Sequence, residues 1–251
     1  MTARAKTRKT LGGWEPEPPT DVEKRRARRV HRALARLYPD AACTLDFSNA
    51  LELYVATVLS AQCTDARVNK VTPDLFKSFP SAADYAQAPR ARLEAMVQST
   101  GFFRNKAKMI QDACRVLVER HGGEVPDTME QLLELPGVGR KTANVLLGNA
   151  FDTPGLTVDT HMRRLSQRLG FTAESDPVRI ERDLMPRIPK SGWTAFSHRM
   201  IQHGRMVCLA RAPRCEACLL QKDCPYPART ARATARKPLS KAREKGRRHP
   251  R

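Results

Sequence analysis

Residues 135–151 read LPGVGRKTANVLLGNAF, a glycine turn that leads into an apolar helix. Gly137 and Gly139 carry no Cβ and can adopt positive φ, so the backbone N–H groups that open the next helix can point outward. Such N–H groups suit a phosphate oxygen. A plain hairpin between two helices needs the same glycines, and this stretch alone does not separate the two interpretations.

The rest of the chain alternates helical patterns with glycine and proline punctuation. The first helix is predicted after Asp21 as N-cap, and Pro39 ends it. Because no period-two strand of useful length occurs, the sequence predicts an all-α fold. At 41% hydrophobic residues the chain can bury a core. It has no apolar run near the roughly 18 residues of a membrane span.

The net charge of +19 is the strongest feature of the composition. Residues 228–251 hold ten Lys and Arg against one Glu, and they show no apolar periodicity. We expect them to form a disordered basic tail, either an arm that binds polyanions or a solubilising segment. Residues 1–20, which end in proline-rich WEPEPPT, are expected to form a disordered N-terminal tail. A basic body between such tails favours nucleic acid as the partner.

The N-terminal MTARAKTRKT is basic and lacks an apolar segment, which argues against a secretory signal. An organellar transit peptide is the alternative. We expect a protein of the bacterial cytoplasm, associated with the nucleoid.

Four of the seven cysteines follow the pattern C-x6-C-x2-C-x5-C: Cys208, Cys215, Cys218 and Cys224. Disulfides are disfavoured in a protein with no secretory signal. Four thiolates suit zinc, although structural zinc sites usually pair two C-x2-C knuckles and only one short spacing occurs here. Four thiolates also hold iron–sulfur clusters. The other three, Cys43, Cys63 and Cys114, are expected to be small core residues.

The string LPGVGRKTA resembles the helix-hairpin-helix motif of the endonuclease III family of iron–sulfur DNA glycosylases and abasic-site (AP) lyases. The resemblance continues in LSAQCTDARVNK (59–70), GFFRNKA (101–107) and VDTHMRRLSQRLGF (158–171), and it spans most of residues 21–227. It implies two helical lobes with a DNA cleft between them. A six-helix domain, 43–153, holds the hairpin, and residues 21–42 and 154–227 together form the iron–sulfur domain.

The resemblance makes Lys141 the nucleophile. An amine can attack C1′ of a deoxyribose, displace the base and leave a Schiff base. It must be neutral to attack, which the positive end of a helix dipole and partial desolvation both favour. Asp159, in VDTH, is the family's partner carboxylate and would stabilise positive charge at C1′. As alternatives, Lys141 is one more surface lysine and Asp159 an N-cap. His161, in the same turn, is given a structural role.

The resemblance also assigns DNA contacts. Gln62 would fill the gap left by an extruded base, and Phe102 would wedge the duplex, although many relatives have leucine there. The Cys208, Cys215, Cys218 and Cys224 set would hold a 4Fe–4S cluster that shapes a loop for phosphate contact. Asp65 is left open between the pocket wall and a helix cap. The remaining predicted DNA contacts are Gly137, Val138, Gly139 and Arg140 in the hairpin, and Arg211 and Arg214 in the cysteine loop.

The function implied is a bifunctional DNA glycosylase and AP lyase of base excision repair. It would act on oxidised pyrimidines and abasic sites in double-stranded DNA, as a monomer and away from membranes. The nearest alternative is a monofunctional relative that removes adenine or mismatched thymine, but those enzymes typically lack a lysine at position 141. A DNA-binding protein without catalysis is the alternative from another class.

Overall fold

The computed structural model describes residues 15–227. Within this range the chain forms α-helices and short 3-10 helices and no strand, so the all-α prediction is confirmed. The C-terminal tail and residues 1–14 lie outside the described residues. The helices are α1 (Asp21–Leu37), α2 (Ala50–Leu59), α3 (Asp65–Ser78), α4 (Ala82–Gln87), α5 (Arg90–Val97), α6 (Phe103–His121), α7 (Met129–Leu132), α8 (Arg140–Ala150), α9 (Thr160–Arg168), α10 (Pro177–Leu184) and α11 (Trp193–Met206). The 3-10 helices are Gln98–Thr100, Lys190–Gly192 and Gln221–Asp223.

The first helix begins one residue away from its predicted cap. Thr20, not Asp21, is the N-cap of α1, because its hydroxyl accepts from the Glu23 N–H and the Glu23 carboxylate accepts from the Thr20 N–H at 2.8 Å. This reciprocal pair needs a hydroxyl residue three positions before a glutamate, which only Thr20 satisfies. The helix ends at Leu37, two residues before Pro39.

The buried apolar residues form two separate clusters. One lies between Leu45 and Leu147 and is built from α2 to α8. The other combines α1 with residues 156–220, including α9, α10 and α11. Each cluster therefore belongs to one lobe. The domain boundaries at 42/43 and 153/154 stay predictions.

Helix α8 packs in the first lobe and hydrogen-bonds to the second. The buried Asn144 amide donates to the Leu156 carbonyl at 3.1 Å. Asn149 Oδ1 accepts from His198 Nε2 at 2.8 Å; its own Nδ2 already donates to a carbonyl of α8, so the histidine is the donor. These contacts fix α8 against the segment that leads into α9 and against α11. No helix among residues 15–227 has the length and apolarity that crossing a membrane requires.

Candidate active site

The glycine turn opens α8 without a side-chain cap. Gly137 has φ +78°, a conformation that favours glycine, whereas Gly139 has φ −94° and is the N-cap of α8. The expectation of positive φ at both glycines is therefore wrong for Gly139, because an N-cap residue takes extended backbone angles. The first helical hydrogen bond runs from Ala143 N–H to the Gly139 carbonyl at 3.0 Å.

The turn exposes backbone donors as the sequence suggested. In the described part of the chain, the N–H groups of residues 140–142 donate to no protein acceptor. The first N–H groups of a helix lack intrahelical partners and carry the positive end of its dipole. Val138 is buried and anchors the turn in the first core. The hairpin can therefore bind an anion through its backbone.

Lys141 and Asp159 line one cleft of about 510 Å³ between the two lobes. Lys141 is the second residue of α8, and its side chain is exposed. Asp159 is the N-cap of α9, where its Oδ1 accepts from the Met162 N–H at 2.7 Å. The cap leaves its second carboxylate oxygen for other partners. The fold thus brings the two predicted catalytic residues together from different lobes.

The exposure of Lys141 corrects one expectation. We expected partial desolvation of this amine, but the protein alone leaves it in contact with solvent. Because the lysine lies in the cleft wall, a bound DNA strand would be needed to exclude that water.

His161 packs against Gly204 and lies 3.1 Å from an Arg164 nitrogen, and burial lowers its pKa.

The lining of the same cleft includes an ion pair between the lobes. Asp65 accepts from the Thr44 hydroxyl at 2.5 Å and from Arg205 at 3.3 Å. The N-cap of α3 is Thr64, whose hydroxyl accepts from the Arg67 N–H. Asp65 therefore belongs to the cleft wall. Arg205 was missed by the sequence analysis, since a lone arginine near a helix end carries no motif.

Gln62 and Phe102 both adopt left-handed backbone conformations. Their φ values are +53° and +48°, and only Asp152 and Ala212 share this feature among the non-glycine residues described. Each such residue costs about 1–2 kcal/mol. Phe102 is also 66% exposed, which is unusual for a large apolar side chain. Strain of this kind concentrates at functional sites. The assigned roles in DNA stay predictions.

Arg140 has a partner that the sequence analysis did not foresee. Its guanidinium binds both oxygens of the buried Glu181 carboxylate on α10, at 2.6 and 2.9 Å, and so joins the two lobes. The pKa of Arg140 is raised by this hydrogen-bonded carboxylate. Because the guanidinium is engaged with Glu181, only the backbone N–H of Arg140 remains available for the DNA contact predicted for this residue.

The four cysteines of the C-terminal pattern line a single cavity, formed by α9, α11 and residues 207–227. Cys208 Sγ accepts from Arg168 at 3.2 Å, and Cys218 Sγ lies 3.4 Å from His203 Nε2. Burial raises the pKa of Cys218 and Cys224. The cavity wall thus places hydrogen-bond donors beside sulfur.

The chemistry of this donor set suits a metal centre. The four thiols line one cavity, and four thiolates can hold either one zinc ion or a 4Fe–4S cluster. Structural zinc sites usually pair two C-x2-C knuckles, whereas the pattern C-x6-C-x2-C-x5-C has a single short spacing. The residues present therefore fit a cluster.

Arg211 and Arg214 lie in the loop between the first two cysteines of the cavity, and both are exposed. Arg214 N–H donates to the Val207 carbonyl at 3.0 Å, and Ala212 between them has φ +48°. In the part of the chain that the structure describes, neither guanidinium has a protein acceptor. Both side chains are therefore free to meet an anion.

Comparison with known proteins decides the family. Residues 55–190 match the model of the HhH-GPD superfamily of base excision DNA repair proteins. Endonuclease III of a Synechocystis species is 57% identical over 204 residues, which cover 81% of this chain and 93% of that protein. The chain belongs to the endonuclease III family. The relative from Bacillus subtilis is 47% identical over 189 residues, 75% of this chain and 86% of its own.

Solved structures of the family agree with this assignment. A non-covalent endonuclease III–DNA complex and a trapped endonuclease III–DNA covalent intermediate each superpose with a TM-score of 0.78. Each is 44% identical in sequence and covers 83% of this chain and 98% of its own. A thermostable thymine-DNA glycosylase, at 18% identity and a TM-score of 0.75, shares the fold. The family resemblance and the two-lobed helical fold predicted from the sequence are confirmed.

Proposed function

We propose that this chain is a bifunctional DNA glycosylase and AP lyase of base excision repair, acting on oxidised pyrimidines and abasic sites in double-stranded DNA. The observation that carries the proposal is the cleft that holds Lys141 and Asp159 on facing lobes. A trapped covalent intermediate with DNA is known for an endonuclease III that is 44% identical to this chain. An exposed amine at a helix N-terminus is suited to forming such an adduct.

In the proposed reaction, the neutral amine of Lys141 attacks C1′ of the extruded nucleoside. The bond between C1′ and the base breaks, and the base leaves with the electron pair and takes a proton. Opening of the sugar ring gives an imine between Lys141 and C1′. Loss of a C2′ proton then expels the 3′ phosphate by β-elimination, and water releases the enzyme. The free oxygen of Asp159 stabilises the positive charge at C1′ and can hold the transferred protons.

DNA would lie across the cleft between the lobes. The N–H groups that open α8 bind a phosphate of one strand and set its register. Gln62 fills the gap left by the extruded base and Phe102 wedges the stack, which lowers the energy needed for extrusion. Arg211 and Arg214 add phosphate contacts from the second lobe.

Cys208, Cys215, Cys218 and Cys224 would hold a 4Fe–4S cluster. Such a cluster would cross-link the loop of residues 208–224, and its role in our proposal is structural. Arg168 supports the same loop by donating to the Leu209 and Ala210 carbonyls at 2.7 and 2.9 Å. We further propose a monomer that works in the bacterial cytoplasm at the nucleoid.

Borohydride trapping on DNA with an abasic site tests the proposal. Wild-type protein should form a covalent adduct, and Lys141→Ala should form none. Lys70→Ala, which removes an exposed lysine of α3, is the matched control and should be trapped like wild type. An adduct that survives Lys141→Ala would reject the assigned nucleophile, and no adduct with wild type would favour a DNA-binding protein without catalysis.

Two variants separate the two roles of Asp159. Asparagine is a good N-cap, so Asp159→Asn should keep α9 intact while it slows base release and strand cleavage by about 10²–10⁴-fold. Asp159→Ala should lose activity and also about 1 kcal/mol of stability through the missing cap. If Asp159→Asn were fully active, the carboxylate would have no chemical role.

Metal analysis and visible absorbance test the cluster. Purified protein should contain iron and sulfide and absorb broadly in the visible range, whereas zinc without iron would overturn the assignment.

The tail is tested separately. Removal of residues 228–251 should weaken DNA binding and flatten its dependence on salt concentration, because fewer counterions are released. An unchanged salt slope would leave the tail a solubilising segment.

A further inference from the structure

Lys106 is a buried lysine that has no carboxylate partner among residues 15–227. It lies in the first turn of α6, its side chain is 3% exposed, and its ammonium donates to the carbonyls of Leu59 and Thr100, each at 2.8 Å. Burial lowers the pKa of this ammonium. Placing a cation in a core is unfavourable unless its donors are satisfied, and an apolar side chain would fill the same space. The presence of a lysine at this buried position therefore needs an explanation.

Both carbonyls belong to residues that end a helix just before a strained loop. Leu59 is the last residue of α2, and Gln62 follows three positions later with φ +53°. Thr100 ends a 3-10 helix, and Phe102 follows two positions later with φ +48°. Since both acceptors bind one nitrogen, the two oxygens lie no farther apart than twice 2.8 Å. One ammonium thus ties together the bases of the two loops.

The backbone of the same residue adds a third contact to this arrangement. The Lys106 N–H donates to the Phe102 carbonyl at 3.1 Å, which opens α6 directly after the strained residue. Left-handed conformations at non-glycine residues persist only where the surrounding structure imposes them. The side chain and backbone of Lys106 together impose the position of the Phe102 loop and connect it to the Gln62 loop.

We propose that Lys106 is a positioning residue that holds Gln62 and Phe102 at a fixed separation, so that both side chains enter the DNA duplex together. The inference rests on the proposed function, because it assumes that these two residues invade a duplex. It predicts a defect confined to double-stranded substrates. A single strand offers no base stack to open, so its abasic sites would reach Lys141 without help from either loop.

The test compares two substrates and two lysines of α6. Lys106→Met keeps an unbranched side chain of similar length but loses the donors. It should lower kcat/KM for strand cleavage at abasic sites in duplex DNA by about tenfold to hundredfold, and change cleavage of single-stranded abasic DNA by less than about twofold. Lys108→Met is the matched control, since Lys108 is exposed and, in the described part of the chain, forms its ion pair with Asp112 of the same helix. It should leave both rates unchanged.

A double-mutant cycle distinguishes positioning from general destabilisation. In a chain that carries Gln62→Ala and Phe102→Ala, adding Lys106→Met should have little further effect on duplex cleavage, because the residues it positions are gone. Lys106→Gln, which keeps a neutral donor, should show an intermediate defect and provides a second variant if the methionine variant does not fold. Thermal melting of each holoprotein accompanies the rates.

Each outcome has a clear consequence. Equal losses on single-stranded and duplex DNA, or effects that simply add in the cycle, would overturn the positioning role while leaving the proposed function intact. Wild-type protein that cleaves neither substrate would overturn the proposed function, and the role of Lys106 with it. A duplex-specific loss that disappears in the Gln62 and Phe102 background would support the inference.

Discussion

The ion pair between Arg140 and Glu181 yields a sharp prediction. The Glu181 side chain is 4% exposed and the Arg140 side chain 34%, and two hydrogen bonds join them. Breaking a fully buried pair by removing one partner costs about 3–5 kcal/mol. In Glu181→Gln the amide keeps one acceptor, and a third of the Arg140 side chain is already exposed to water. We therefore expect a loss of about 2 kcal/mol, near the value of one hydrogen bond to a charged group.

Chemical and thermal denaturation measure the loss of stability, and borohydride trapping kinetics measure the effect on the reaction at Lys141. For a chain of this size, a loss of about 2 kcal/mol lowers the melting temperature by about 4–8 °C. Because Arg140 precedes Lys141, release of the pair also loosens the start of α8. A displacement of about 1 Å there can cost up to about a hundredfold in rate, so borohydride trapping should slow as well.

The control is Glu174→Gln, which removes a more exposed carboxylate that lies 3.5 Å from Arg179. Such a pair contributes about 0–1 kcal/mol. If Glu181→Gln and this control had equal stability and equal trapping rates, the ion pair would not be what fixes α8 against the second lobe.

Three further predictions follow from single contacts. Gly155→Ala should lower the free energy of unfolding by about 1–3 kcal/mol, since its new Cβ would meet a backbone oxygen of α8, and an unchanged denaturation midpoint would contradict this. Phe102→Asn should gain stability from its better tolerance of φ +48° but lose duplex cleavage, and a less stable variant would argue against strain. Burial lowers the pKa of His198 while the ring donates to Asn149, so stability should fall as pH drops below about 6.5, where only the unfolded chain gains the proton. His198→Gln should remove up to about 1.4 kcal/mol per pH unit of that slope, measured by urea titration at several pH values.

Local patterns predicted much of the site. The glycine turn placed Lys141 at the start of a helix, VDTH placed Asp159 at an N-cap, and the cysteine spacing placed four thiols around one cavity. In each case the backbone conformation depends on the residue types within one short run of sequence. A turn, a cap and a ligand loop are decided within a few residues, so their sequences predict them.

Contacts between distant segments were not predicted. Arg140 meets Glu181 forty-one positions later, and Arg205 meets Asp65 across 140 positions. Arg104 and Lys108 lie two positions before and after Lys106, so its sequence surroundings are typical of an exposed helix. Its burial results from the packing of α6 against the end of α2, which no local pattern encodes.

Net charge is an incomplete indicator of DNA binding, because contacts between distant segments also engage some of the cations. Arg26 donates to the carbonyls of Leu169, Gly170 and Asp223, and Arg164 to those of Gly204 and Cys208. Arg168 and Lys106 likewise bind carbonyls, and Arg140 binds a carboxylate. These five cations complete helix ends, the cysteine loop and the joint between lobes, so their donors are unavailable to phosphate. Since the salt slope of binding counts only the phosphates that are neutralised, these five of the 45 Lys and Arg should not contribute to it. A slope that falls when one of them is replaced, in a variant that keeps its fold, would mean that this cation leaves its protein partner when DNA binds.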